Sequence, residues 1–150
     1  MAVRAATAAD EPAWREMWQA YCDFYEVVIS ERVTATTWTR ILDPTAAVEG
    51  LIAVDAGDRQ VGFANFFAHP NTWSDRPICY LEDLFVRPQT RGTGAGRALI
   101  EHLSALCRER DWPSLYWQTR ENNTVARRLY DRLGQRDDFV RYSLKTIHGV

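Results

Sequence analysis

Val86-Arg-Pro-Gln-Thr-Arg-Gly-Thr-Gly-Ala-Gly-Arg97 joins two different hydrophobic patterns. An apolar run, Leu84 to Val86, enters it, and a helical pattern from Ala98 to Arg110 leaves it. Glycines at alternate positions (Gly92, Gly94 and Gly96) permit backbone conformations and close approaches that a Cβ blocks. A helix that starts here turns its unpaired N–H groups and the positive end of its dipole toward the turn. Strand, glycine-rich turn and helix together make a seat for a phosphorylated ligand.

Two common phosphate motifs fail on this stretch. A Walker A loop ends in Gly-Lys-Ser/Thr, whereas this turn ends Ala95-Gly96-Arg97. A dinucleotide fingerprint begun at Gly92 needs glycine where Arg97 stands, and one begun at Gly94 needs it where Leu99 stands.

Upstream, Ile78 to Val86 reads as a long strand interrupted by two consecutive carboxylates, Glu82 and Asp83. Leu51 to Asp55 and Val61 to Ala68 read as a strand pair with Ala56 to Arg59 as the turn. His69 to Pro77 is a polar loop that carries an isolated Trp73. Nearer the start, Val3 to Ala5 is a short strand. Thr7 and Asp10 resemble a helix start with Pro12 just inside it. Trp14, Met17, Trp18, Tyr21 and Phe24/Tyr25 then recur at helical spacing. Thr34 is the expected cap of a second helix that runs to about Leu42, before Asp43-Pro44.

Downstream, Ala98, Leu99, Leu103, Leu106 and Cys107 mark the inner face of a helix. Leu115 to Thr119 reads as a strand. Asn123 or Thr124 opens a further helix with Gly134 as its C-cap, and Phe139 to Leu144 alternates like a last strand. The whole is a single mixed α/β domain over residues 1–150, with too much consecutive β early on for a pure Rossmann alternation.

Composition narrows the partners. A formal net charge of -2 gives no general electrostatic case for nucleic acid. No run of ~18 apolar residues or signal-like N-terminus appears, so neither a membrane span nor secretion is expected and a cytoplasmic location is. Cys22, Cys79 and Cys107 are odd in number and lie in apolar settings. They fit buried reduced thiols better than a disulfide frame, and no metal site is expected. His69, His102 and His148 show no spacing to a mechanistic partner and read as structural.

Arg91-Gly92-Thr93-Gly94-Ala95-Gly96 does match the Q/R-x-x-G-x-G/A pattern of the GNAT superfamily of N-acetyltransferases. Leu81-Glu-Asp-Leu-Phe-Val-Arg-Pro88 resembles that family's fourth strand. Asn123-Thr-Val-Ala-Arg-Arg-Leu-Tyr130 and the following Leu133-Gly134 resemble its second cofactor segment. Tyr80-Leu-Glu-Asp-Leu-Phe-Val86 and the Trp73 loop are similar to the diamine acetyltransferases and to a yeast-type group that acetylates histones, polyamines or D-amino acids.

The resemblance implies a mixed, mostly antiparallel sheet of six to seven strands, splayed between strands 4 and 5 and flanked by about four helices. It implies acetyl-CoA as the acetyl donor, with pantetheine against Leu84, Phe85 and Val86 and the pyrophosphate on the amides and guanidinium groups from Arg91 through Thr93 and Ala95 to Arg97. Asn123 holds the pantetheine or simply starts the last helix. Glu82, placed where diamine acetyltransferases carry a glutamate, is the candidate base, and Asp83 faces the other side unless a bulge exchanges them. Tyr130 is the candidate acid for the departing thiolate and a further cofactor contact. An N–H of Phe85 or Val86 is the oxyanion donor.

Trp73, Tyr80, Glu26, Glu31 and Asp83 are candidates for the acceptor pocket. The expected acceptor is a small-molecule primary amine, a polyamine or amino acid. Protein acetylation and a non-catalytic acyl-CoA sensor are the alternatives, and a homodimer accords with similar proteins.

Overall fold

The first strand is anchored by a buried carboxylate. In the computed structural model, which describes residues 1–147, β1 (Ala2–Ala5) is followed by a 3-10 turn at Ala8–Asp10 and then by α1 (Glu11–Phe24). Asp10 is wholly buried. It accepts from both terminal nitrogens of Arg4 at 2.7 and 2.8 Å, from the Thr7 amide at 2.8 Å and from Gln60 Nε2 at 3.1 Å. One side chain thus ties the first strand, the entry to α1 and the third strand together.

The chain divides into two compact units, residues 1–118 and 119–150. The first holds every strand among the described residues. β2 (Glu49–Val54), β3 (Gln60–His69), β4 (Ile78–Val86) and β5 (Leu115–Trp117) follow β1 in sequence order across one sheet. The first four pair antiparallel, and β4–β5 is parallel. Asp55 closes the β2–β3 turn by accepting the amides of Gly57 and Arg59 at 2.9 and 3.1 Å.

Side-chain alternation sends β3 residues to opposite faces. Phe63 packs on the α1 side with Trp14, Met17 and Phe85, joined by Trp38 and Ile41 of α2 (Glu31–Leu42). Gly62 faces Leu99 of α3 (Ala95–Glu109) on the other side. Trp14 stacks on Trp18 at 5.4 Å and tilts against Trp38 at 5.0 Å, so the α1 face is an aromatic core. The three cysteines are free and buried, as expected. Among the described residues, no helix is long and apolar enough to cross a membrane.

Two expectations are corrected. Ser30, not Thr34, caps α2: its hydroxyl accepts the Val33 amide at 3.2 Å. Thr34 lies inside the helix, buried, and takes the Trp18 indole N–H at 3.2 Å. The alternation at Phe139 to Leu144 forms no strand, and the sheet has five strands among the described residues instead of six to seven. Alternation marks a surface that suits a sheet, but a strand exists only where a neighbour completes its ladder. Phe139, Val140, Tyr142 and Leu144 are exposed.

The second unit carries α4 (Thr124–Leu133), begun at Asn123 and ended at Gly134, whose amide reaches the Tyr130 carbonyl at 2.8 Å.

Candidate active site

β4 changes register beside its two carboxylates. Asn65 pairs with Asp83 and Phe66 with Leu81, so Glu82 is the extra residue of a bulge. Leu81 is buried, Glu82 exposed and Asp83 half-buried. Asn65 donates to Asp83 Oδ2 at 3.0 Å across the bulge, and the Tyr21 hydroxyl of α1 also bonds Asp83. Burial holds the Asp83 carboxyl above the usual carboxylate range, against the opposing pull of Asn65 and Tyr21. Burial, and then the charge of Asp83, pushes the Tyr21 phenol well up. The two neighbouring carboxylates therefore occupy different environments: Glu82 meets solvent, and Asp83 is locked under α1.

The bulge coincides with the end of the β4–β5 ladder. Among the described residues that ladder runs from Cys79–Leu115 to Leu81–Trp117, and β4 continues past its end to Val86. The ladder ends where the splay is expected, and Leu84, Phe85 and Val86 follow it on β4. A sheet edge beyond the end of a ladder can pair with an extended ligand.

β4 leads through a short 3-10 turn, Pro88–Thr90, into the glycine-rich segment. Gly92 and Gly94 have φ of 82° and 90°, and a Cβ placed on either would meet nothing within 4 Å. The glycines are needed for conformation, and the space over them is open. The first helical bond of α3 joins the Ala98 amide to the Gly94 carbonyl at 2.9 Å. This leaves the amides of Ala95, Gly96 and Arg97 at the open end of the helix. Arg91, Thr93 and Arg97 are exposed around it. A helix N-terminus behind two open glycines, with two exposed arginines, suits a pyrophosphate.

In the second unit, Asn123 starts α4 through its backbone: its carbonyl accepts the Arg127 amide at 3.0 Å. Its side chain is turned away from the helix and donates to Thr119 Oγ1 at 2.9 Å. Tyr130, half-buried, stands two turns further along α4.

The acceptor candidates sit on several elements. Glu26 is exposed with φ 55° just past the end of α1, and Glu31 is engaged by Arg15 at 2.8 Å. Trp73 is 90% exposed in its loop. Tyr80 stacks on Tyr116 at 4.8 Å and meets Phe67 edge-on at 5.5 Å. Among the described residues, no group of three or more His, Cys, Asp or Glu side chains is placed to hold a metal ion.

Asn65, a partner of Asp83, and His69, read as structural and bonded to Tyr116, escaped the sequence; Tyr21, the other partner of Asp83, lies in the stretch Tyr21 to Glu26 that the sequence places toward a substrate entrance. Each link joins separate elements, so only the sheet register reveals it. His102 is exposed on α3, and His148 lies outside the described residues.

The model of the acetyltransferase (GNAT) family matches residues 13–135. The chain belongs to this family. It is 35% identical over 142 residues to the D-amino-acid N-acetyltransferase of Saccharomyces cerevisiae, covering 93% of this chain and 88% of that protein. With the thialysine N-epsilon-acetyltransferase of Caenorhabditis elegans it shares 35% identity over 85 residues, 57% of this chain and 52% of that one. The solved ribosomal-protein-alanine N-acetyltransferase of Brucella melitensis has the same fold, with a TM-score of 0.79 at 21% identity over 96% of this chain and 98% of the other. As a GNAT member the chain is an N-acetyltransferase enzyme.

Proposed function

We propose that this GNAT enzyme transfers the acetyl group of acetyl-CoA to a primary amine of a small molecule, an amino acid or polyamine, by direct attack in a ternary complex. The observation that carries the reading is the sequence of features along β4: bulge, the stretch past the end of the β5 ladder, then the N-terminus of α3 with its glycine-rich turn. In that order they match a thioester end, an extended arm and a pyrophosphate. The names of two relatives, which act on D-amino acids and thialysine, support a small amine as acceptor. The family model runs through both units, which supports one catalytic domain.

In this reading Arg91 and Arg97, with the amides from Gly92 to Gly96, hold the pyrophosphate. Leu84, Phe85 and Val86 line the arm, and Asn123 steadies it. A primary alkylamine has a pKa near ~10.4, so a base must neutralise it before attack at pH 7. Glu82, exposed in the bulge, takes that proton, directly or through a water. The amide of Phe85 or Val86 meets the developing oxyanion. Tyr130 returns a proton to the leaving sulfur, whose ordinary pKa is near ~8.5. Asp83, Tyr80, Trp73, Glu26 and Glu31 are the acceptor-side candidates.

A thiol-release screen over D- and L-amino acids, polyamines, aminoglycosides and peptides tests the acceptor. Turnover confined to peptides would replace the small-molecule reading. Tyr130→Phe is expected to lower kcat by about 10²-fold with little change in acetyl-CoA affinity. Unchanged kcat in that variant would remove the acid from Tyr130.

A further inference from the structure

Beside the bulge, on the face of the sheet opposite α3, lies a bonded pair that the mechanism above does not use. Tyr80 and Tyr116 are register partners on β4 and β5, one pair before the ladder ends. Tyr80 precedes Glu82 by two residues, about 7 Å along the strand. The Tyr116 hydroxyl lies 2.8 Å from His69 Nε2, with the two rings perpendicular at 5.8 Å. His69 Nδ1 lies 2.7 Å from the Pro70 carbonyl oxygen, at the start of the exposed loop.

These contacts set the tautomer. A carbonyl oxygen only accepts, so Nδ1 carries the hydrogen, and Nε2 presents its lone pair to the Tyr116 O–H. The pair is poised in one direction: a proton delivered to the Tyr116 oxygen lets the phenol pass its own proton to Nε2. The resulting imidazolium keeps both bonds, Nδ1–H to Pro70 and Nε2–H to Tyr116. Burial holds the Tyr116 phenol above its ordinary range, so it passes a proton along without standing as a phenolate. Both side chains are only half-buried, leaving His69 able to release the proton to water at the loop.

Proton accounting shows the need. Acetylating an ammonium removes two protons from nitrogen, one before the C–N bond forms and one after it. The broken C–S bond leaves a thiolate that takes up only one. Acetylating an amine that is already neutral removes a single proton, which the thiolate consumes. In the mechanism above Glu82 takes the first of the ammonium's protons and Tyr130 supplies the thiolate with its proton, so turnover of an ammonium acceptor leaves one proton over beside the β4 bulge.

We propose that Tyr116 and His69 form a relay that carries this surplus proton from the acceptor ammonium to solvent, with His69 acting through Tyr116. The balance is ammonium, acetyl thioester and neutral His69 giving amide, thiol and protonated His69, which then loses its proton to water. The inference rests on the amine-acetylation reading above and adds that the acceptor binds as an ammonium ion.

The test compares two acceptors of one shape: the best amino acid or polyamine from the thiol-release screen, and its aminooxy analogue, which is neutral at pH 7. With the ammonium acceptor, Tyr116→Phe and His69→Ala are each expected to lose about 10²-fold in kcat, and with the aminooxy acceptor to stay within about threefold of wild type. Free imidazole should restore part of the His69→Ala loss with the ammonium acceptor alone. Equal losses on both acceptors would reduce the pair to packing, and no loss on either would remove it from the reaction. Tyr116→Phe keeps the ring stacked on Tyr80 and loses one oxygen, so it carries the comparison if His69→Ala does not fold. A wild-type enzyme that releases no CoA with any amine would overturn the acetylation reading and the relay together. Wild-type turnover with unchanged variants would overturn only the relay.

Discussion

Asp10 shows how one buried side chain makes a pH-dependent join. Its carboxylate is wholly buried, and the bidentate bond from Arg4, helped by Thr7 and Gln60, holds its pKa well below the carboxylate range. The unfolded chain protonates this group near ~3.9. The folded state therefore binds fewer protons, and its stabilisation is fully present above about pH 5 and lost as pH falls below about 4. Asp10→Asn keeps the shape and loses the charge. Because Arg4 is partly exposed and can reach water, the expected cost at pH 7 is about 1–3 kcal/mol. Thermal melts of both proteins from pH 7 to pH 3 check this, since the gap in Tm should hold above pH 5 and shrink below pH 4. A gap that is as wide at pH 3 as at pH 7 would assign the effect to packing. The Thr7 and Asp10 spacing was readable because capping chemistry is local. The partners Arg4 and Gln60 were not, since Gln60 lies fifty residues away from Asp10.

At the scale of elements, what was legible followed the range of the interaction. The inner face of α3 and the stripe of α1 have a period set within the helix itself: Leu99, Leu103 and Cys107 are buried, as are Trp14 and Met17, while Phe24 at the end of α1 is exposed and Tyr25 lies past it. The glycine-rich turn was likewise readable from its own residues, and the positive φ angles of Gly92 and Gly94 give its reason. The bulge at Glu82 was not, because consecutive carboxylates in a strand have no meaning until the register of Asn65 is known. The His69–Tyr116 bond was hidden for the same reason. The close packing at Gly62 also needed the structure. A Cβ there would lie 2.7 Å from the backbone oxygen of Phe85 and 3.3 Å from Leu99, so an alanine must push β4 or α3 away. Gly62→Ala is expected to cost about 1–3 kcal/mol and to raise the KM for acetyl-CoA, because Phe85 and Val86 line its proposed seat. Gly57→Ala is the control: its Cβ would meet only Asp55 Oδ1, at 3.4 Å, and the expected change is within about 0.5 kcal/mol. Urea melts with acetyl-CoA saturation curves separate the two, and a Gly62→Ala protein matching wild type in both would deny that contact its role.

For the whole molecule, the proposed cofactor seat predicts a linkage between donor binding and stability. The five strands among the described residues and the glycine-rich turn belong to the first unit, so a ligand on the turn is held by the element that also packs the sheet. Leu99, Ile100 and Leu103 of α3 are buried within a turn or two of the open amides. A ligand that binds only the folded chain at 100 times its Kd adds about 2.7 kcal/mol to stability. For a chain of this size that raises Tm by roughly 5–10 °C. Acetyl-CoA should produce such a shift, and the acceptor amine alone should produce a smaller one. The proposed seat depends on charge at Arg91 and Arg97, both exposed, with Arg97 in a surface i,i+4 pair with Glu101 at 3.7 Å. Arg91→Ala and Arg97→Ala should therefore leave the unliganded Tm close to wild type, since exposed side chains away from special contacts change stability by about 0.5 kcal/mol or less. Each should still weaken acetyl-CoA binding by about 1–3 kcal/mol, the range for a charge-assisted hydrogen bond. Titrating acetyl-CoA and dephosphorylated pantetheine in parallel locates the effect. If the seat is the turn, the arginine variants lose affinity for acetyl-CoA but not for pantetheine, which carries no pyrophosphate. Equal losses for both ligands would move the pyrophosphate away from the start of α3.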